Sequence, residues 1–394
     1  MRRVYLDHAA TTPMVPEAIE AMTRQFATVG NASSLHGSGR TARRVVEDAR
    51  ESIAARLGAL PVEVVFTSGG TEADNLAVKG AWWSGRAATD QPARAGVVVS
   101  AIEHHAVLDT AGWVREQGGE VALAPVDGGA RLALAALADL VDERTAVVSV
   151  MWANNEVGTL QPVREVAELA AARGALSHSD AVQAVGHVSV DFGASGLDLM
   201  SCTSHKLGGP VGIGALVIRR GLELTPMLHG GGQERDLRSG TIDVAAIAGF
   251  AAAIEVADGD RAAEDVRLRE LRAELTARLR TIAPDVVVNT PDDVATLPGI
   301  LSVTFPGCEA DAMMMLLDAA GIDCATGSAC SAGVAEPSHV LLAMGRTERD
   351  ARSTLRFSLG RSTAPADIDA LIAALPEALA RARMAGAVAG ARVG

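Results

Sequence analysis

Between residues 62 and 220 the chain alternates two patterns. Short, nearly continuous apolar runs ("VEVVFTSGG", "GVVVSAIEHH", "EVALAPV", "TAVVSVMWANNE", "ALSHSDA", "LDLMSCTSHK" and "GIGALVIRR") lead into polar turns. Runs this short, without polar alternation, read as strands buried on both faces. Between them, apolar positions recur at helical spacing over 38–58, 71–84, 105–118, 132–141 and 162–174. Strand–helix alternation predicts an α/β fold: a mostly parallel, seven-stranded sheet flanked by helices. Past about 245 the texture changes. A long Ala/Arg/Glu-rich helix is predicted over 245–282, followed by strands at "DVVVNT" and "GILSVTF" and an apolar helix at 309–320. A Gly/Ser/Cys loop at 324–333, a strand at "TLRFSLG" and a helix at 366–385 complete the pattern. This predicts a large domain over 15–260. A smaller α+β domain would comprise 1–14 and 261–394 and carry the cysteine-containing loop.

Composition narrows the function. The chain has 394 residues, 48% of them hydrophobic, enough for a substantial core. A formal net charge of −13 argues against a nucleic-acid-binding surface. Cys202, Cys308, Cys324 and Cys330 form no CxxC pattern, so neither a metal site nor a disulfide framework is expected, and a reduced, cytoplasmic setting fits. Asp7 and His8 interrupt the first apolar run, so no signal-peptide core is read there. No apolar stretch is long enough to predict a membrane span.

In sheets of this kind, ligands bind beyond the carboxyl ends of the strands. The polar residues following the strands are Thr71, His104, Asn155, Asp180 with Gln183, and Thr203 to Lys206. Lys206 is one of only two lysines among 35 basic residues; the other, Lys79, reads as an ordinary cation near the end of an amphipathic helix. Arginine serves solubility as well as lysine does, but only lysine can lose its proton and form a Schiff base. A lysine kept against that bias is a candidate for covalent chemistry with an aldehyde cofactor, and pyridoxal phosphate makes four demands on a protein. Lys206 answers the first. Asp180 offers a carboxylate for the pyridine nitrogen, and Gln183 could reach the phenolic oxygen. "SGGT", with Thr71 opening a helix, offers a phosphate cradle. His104 offers a face to stack on the ring. Taken singly, Asp180 reads better as a helix cap, Thr71 at least as well as part of a capping box, and a lone histidine such as His104 is more often structural.

The ordered series "LDHAATTP", "GNASSLH", "TSGGTEADNLA", "EHHAVL", "NNEVG", "SDAVQAVG", "SHKLGGPVGIGAL", "HGGGQERDLRSGT", "GSACSAG", "PSHVL" and "LRFSLGR" resembles the cysteine desulfurase family. These are fold-type I pyridoxal-phosphate enzymes related to class V aminotransferases. The resemblance runs from residue 5 to about 361 and favours the long-loop group that serves iron–sulfur assembly and tRNA thiolation. Two departures are small: Ala32 stands where many members have Pro, and Thr203 where several have Ser. The resemblance implies that Lys206 carries the cofactor, Asp180 pairs with the pyridine nitrogen, Gln183 meets the phenolic oxygen and His104 stacks. It assigns Thr71, Thr203 and His205 to the phosphate, with Thr241 reaching the partner subunit's phosphate in a homodimer. Asn155 and Arg356 would hold the substrate carboxylate, a role for which a guanidinium fork is suited.

Cys330 separates the possible chemistries. It lies in "ATGSACSAGVAEPSH", a stretch of small residues without a packing pattern, whereas Cys202 and Cys308 read as buried hydrophobes. The implied reaction begins when free L-cysteine displaces Lys206, which then removes the α-proton. The Cys330 thiolate attacks the substrate sulfur, leaving a persulfide and alanine. His104 is the candidate for handling the thiol proton. The persulfide sulfur would pass to an acceptor protein such as a cluster scaffold or a tRNA thiolation enzyme, with no direct nucleic-acid or membrane partner. The alternatives are selenocysteine lyase, another class V lyase or aminotransferase, or a carrier that uses Cys330 and Cys324 without catalysis.

Overall fold

The computed structural model describes residues 3–87, 93–327 and 336–390, with side chains as far as 384. Its strands are β1 (Val4–Tyr5), β2 (Val64–Thr67), β3 (Gly96–Ser100), β4 (Glu120–Ala124), β5 (Thr145–Ser149), β6 (Leu176–Asp180), β7 (Leu199–Thr203), β8 (Gly214–Ile218), β9 (Val287–Val288), β10 (Ile300–Thr304), β11 (Ile322–Asp323) and β12 (Thr354–Ser358). The central sheet has seven strands in the order β2-β8-β7-β6-β5-β3-β4. Every pairing is parallel except the two that β8 makes, with β2 and β7. The α/β class and the seven apolar runs are therefore as the sequence predicts. β5 to β8 are buried along almost their whole length, which is why their residues are apolar or small rather than alternating.

Helices occupy Gly37–Leu57, Gly70–Ala87, His105–Glu116, Leu134–Leu140 and Val163–Ala172, close to the predicted spans. A helix at Pro16–Phe26 goes beyond the sequence reading; Pro16 at its first turn is its start signal. The 39-residue helix Val244–Ile282 starts where the Asp243 carboxylate accepts from the Ala246 N–H at 2.9 Å. Its first half (Ile247, Phe250, Ile254) packs into the core against the central sheet. Its second half (Leu268, Leu271, Leu275) joins a separate core with β10, β12 and the helix Pro365–Gly390. Fully burying one such side chain contributes about 1.5–3 kcal/mol, so each half is held by its own cluster. A three-stranded sheet, β12-β10-β9, and the pair β1-β11 belong to the second core.

One backbone contact fixes the start of Gly70–Ala87. Gly69 has φ +151°, and a Cβ at Gly214 of β8 would lie 2.9 Å from the Gly69 Cα. Gly214→Ala would force the turn off the sheet, since neither partner there is a flexible side chain.

Candidate active site

The carboxyl ends of β2, β3, β5, β6 and β7 open on one side of the sheet into a cavity of about 420 Å³. That lies within the roughly 300–1,000 Å³ of small-molecule sites. Nine of the eleven residues singled out by sequence line it: Thr71, His104, Asn155, Asp180, Gln183, Thr203, His205, Lys206 and Arg356. Thr241 is exposed and lies outside the cavity. Cys330 falls outside the described residues.

Lys206 sits in a tight turn after β7, where Leu207 and Gly209 donate back to the Ser204 carbonyl at 3.0 and 3.1 Å. Its Nζ donates to the carbonyl oxygens of Ala9 and, at 2.8 Å, Ala10. Burial, assisted by the nearby Arg356 charge, lowers its pKa to about 8; Asp180 and Asp7 oppose the shift. Lys79 instead holds its ammonium over the Trp113 ring at 4.7 Å, the bland role expected of it.

Asp180 ends β6 and is buried, and its Oδ1 accepts from the Val182 N–H at 2.8 Å. Burial raises its pKa, while His104 and Lys206 pull it back. The chain continues in turns rather than in a helix, so the capping reading of Asp180 holds only as a turn bond. Gln183 nevertheless reaches the cavity, where its Nε2 donates to the Ala9 carbonyl at 2.8 Å.

His104 caps the helix His105–Glu116, its Nδ1 accepting from the Ala106 N–H at 3.1 Å. The neutral ring therefore carries its proton on Nε2, and burial keeps it neutral against the pull of Asp180, with the Lys206 charge adding to the shift. Burial and the Lys206 charge also lower His205, to about 4; its Nδ1 meets the Thr11 hydroxyl at 3.2 Å.

At the start of Gly70–Ala87, the Ser68 N–H donates to Glu72 at 2.7 Å, and Glu72 pairs with Arg238 at 2.9 Å. This anchors the segment that leads to Thr241. A second anchor is the buried Arg50–Glu234 pair at 2.8 Å, with Glu234 also accepting from the Phe66 N–H.

Arg356 of β12 is buried. Its Nη1 donates to the Asn155 carbonyl at 2.9 Å and its Nη2 to Asp7 Oδ1 at 2.8 Å, while Nε has no partner among the described residues. Sequence reasoning assigned no role to Asp7, although it lines the cavity. Nor did it single out Asp74 and Glu103, buried carboxyls that burial pushes well above their usual range. Asp74 faces His178, whose ring joins the Ser149 and Ser201 hydroxyls at 2.8 and 2.9 Å. Cys202 and Cys308 are buried as expected, and burial pushes the Cys324 thiol up to about 12, with Asp7 and Asp323 adding to the shift.

These features fit pyridoxal phosphate. A low-pKa lysine and a buried carboxylate face one cavity, a helix start brings free N–H groups to its edge, and the buried Arg356 Nε has no partner among the described residues.

The chain also resembles known proteins over almost its whole length. Residues 4–371 match the family described as Aminotransferase class-V. The chain is 53% identical over 391 residues to an IscS-like cysteine desulfurase of Mycobacterium tuberculosis, covering 98% of this chain and 99% of that protein. It is 38% identical to a cysteine desulfurase IscS of Clostridium botulinum, covering 97% and 96% respectively. A solved NifS-like protein superposes with a TM-score of 0.89 at 35% identity, covering 96% of this chain and all of that one.

Proposed function

The chain belongs to the cysteine desulfurases of the class V aminotransferase family, pyridoxal-phosphate enzymes that act on cysteine, and from that premise we propose how its residues divide the work. When bound, pyridoxal phosphate supplies an electron sink that lets the α-proton of the amino acid leave and its Cβ–S bond yield to a nucleophile. Lys206 would hold the cofactor through Nζ, and its free amine would accept the α-proton at that atom. A pKa near 8 supports this, because an appreciable share of the amine is then free at mildly basic pH. Asp180 would pair with the ring nitrogen and favour its protonated form, Gln183 would meet the phenolic oxygen, and His104 would stack on the ring. Thr71, Thr203 and His205 would hold the phosphate. Asn155 and Arg356 hold the substrate carboxylate, a role supported by the free Arg356 Nε.

Cys330 Sγ, as thiolate, attacks the substrate sulfur. A sulfur–sulfur bond forms, the Cβ–S bond breaks, and its electron pair stays with carbon, which takes up a proton to give L-alanine. His104, with its proton on Nε2 and Nδ1 occupied, is suited to donating a hydrogen bond into the cavity. The sulfur then passes to an acceptor protein such as a cluster scaffold or a tRNA thiolation enzyme. Selenocysteine lyase and other class V reactions are not favoured, since the relatives above are named as cysteine desulfurases.

We place the enzyme in the cytoplasm as a homodimer in which Thr241 completes the partner's phosphate site. The anchoring of its segment through Glu72–Arg238, and the exposed Phe26, Val29 and Leu35 between the first two helices, support a second copy as the partner. The division into a large domain over 15–260 and a small one comprising 1–14 and 261–394 is supported by the two cores along the helix Val244–Ile282. The observation carrying the reading is the convergence of Lys206, Asp180 and Arg356 on one cavity. It is tested by treating the holoenzyme with cysteine without reductant and mapping the persulfide by alkylation and mass spectrometry. The sulfur should be found on Cys330, and its appearance on another cysteine would overturn the assignment.

A further inference from the structure

We propose that Asp7 is a built-in competitor for Arg356: an internal carboxylate that occupies the guanidinium before substrate arrives and weakens its grip on any carboxylate that enters. The proposal rests on the reading of Arg356 as the carboxylate-binding group. Asp7 Oδ1 lies 2.8 Å from Arg356 Nη2, and both side chains line the cavity. The Arg356 side chain is only 7% exposed and that of Asp7 21%, so the attraction between them is little screened.

The backbone fixes Asp7 in this position from several directions. Its carbonyl lies 3.0 Å from the Tyr5 hydroxyl, His8 N–H donates to Ser358 O at 3.2 Å, and Ser358 N–H donates to Leu6 O at 2.8 Å. Arg356 is two residues before Ser358, so the strand that carries the guanidinium also holds the turn that carries its partner. Arg356 Nη1 is committed to the Asn155 carbonyl at 2.9 Å, and Nε alone lacks a partner among the described residues. A carboxylate gripping Arg356 with two bonds must therefore share at least one nitrogen already engaged, and it must sit beside the Asp7 charge.

The electrostatic sign follows. With Asp7 present, Arg356 and an entering carboxylate form a trio carrying one net negative charge; with a neutral residue at position 7 the pair is neutral and the hold is tighter. Asp7 thus sets a grip loose enough for an amino acid to enter and for the carboxylate of its product to leave. It is a positioning residue, acting through Arg356.

The test measures binding of propionate, the carbon skeleton of alanine without its amine, to the holoenzyme by ligand-observed NMR, with ethylamine as the amine-only control. Asp7→Asn keeps an oxygen that can accept from Nη2 and removes the charge. It should tighten propionate binding about tenfold, the effect of one charge at hydrogen-bond range in a partly screened site. Asp7→Glu should bind propionate as the parent does, and Arg356→Gln should abolish the gain made by Asp7→Asn. Unchanged or weaker propionate binding in Asp7→Asn, or equal tightening in Asp7→Glu, overturns the proposal while leaving Arg356 in its role. Propionate binding that is indifferent to Arg356→Gln removes the reading of Arg356 itself and the proposal with it.

Discussion

Lys206 Nζ donates to the Ala10 carbonyl at 2.8 Å, tying the covalent-chemistry candidate to a segment 196 residues earlier in the chain. The amine is thereby held in a place where burial lowers its pKa to about 8. Capture of pyridoxal phosphate by apoprotein needs the neutral amine. Its rate should therefore rise with pH, level off above about 8, and not climb on towards the ordinary lysine value of about 10.4. Stopped-flow absorbance measures the rate, and borohydride then fixes the cofactor to the Lys206 peptide. Labelling of Lys79 would sink the assignment.

Asp180 lies at the end of a buried strand, where its charge is costly unless a positive group faces it. Asp180→Asn should still load cofactor but should exchange the α-proton of alanine for deuterium 10- to 100-fold more slowly, at about 1.4 kcal/mol per factor of ten. NMR in D₂O reads the exchange. An unchanged rate would mean that the bond to the Val182 N–H is all that Asp180 does.

His178 is held neutral by burial, which lowers its pKa to about 3, against an unfolded value near 6.5. Its contribution to stability is full above about 6.5 and is lost as pH falls towards 3, because only the unfolded chain takes up the proton. His178→Gln removes that dependence. The stability gap between parent and variant should therefore shrink by about 1.4 kcal/mol per pH unit below about pH 6. Urea unfolding at several pH values measures it, and a gap independent of pH contradicts it.

What the sequence reveals and what it hides have a common cause. Buried strands write themselves as short apolar runs, and the sheet gathers residues far apart in the chain into one row of strand ends, so Thr71, His104, Asp180 and Lys206 were legible. Asp7 was not, since its partner Arg356 is 349 residues away and the strand before it, Val4–Tyr5, is only two residues long. Asp74 was hidden for another reason. On a helix whose first turn reads as polar and capped, only packing against the sheet decides that this carboxyl is buried. The helix Pro16–Phe26 lay between two family-like motifs and carried an N-terminal Pro as its chief local signal.

Thr241 is exposed on a segment fixed by Arg238 and Glu234, so a shared site makes a sharp prediction. Heterodimers that combine a Lys206→Ala subunit with a Thr241→Ala subunit should regain one complete site and with it up to half of the parent activity per dimer. Sizing and tagged purification verify the heterodimer, and no recovery above either parent variant would count against sharing.

The most direct measurement is the simultaneous yield of sulfide and alanine from L-cysteine plus reductant, for the parent and for Cys330→Ser. The parent should release the two in equal amounts, and Cys330→Ser should load cofactor and bind cysteine yet release neither. Sulfide and alanine from Cys330→Ser at the parent rate would contradict sulfur transfer through Cys330.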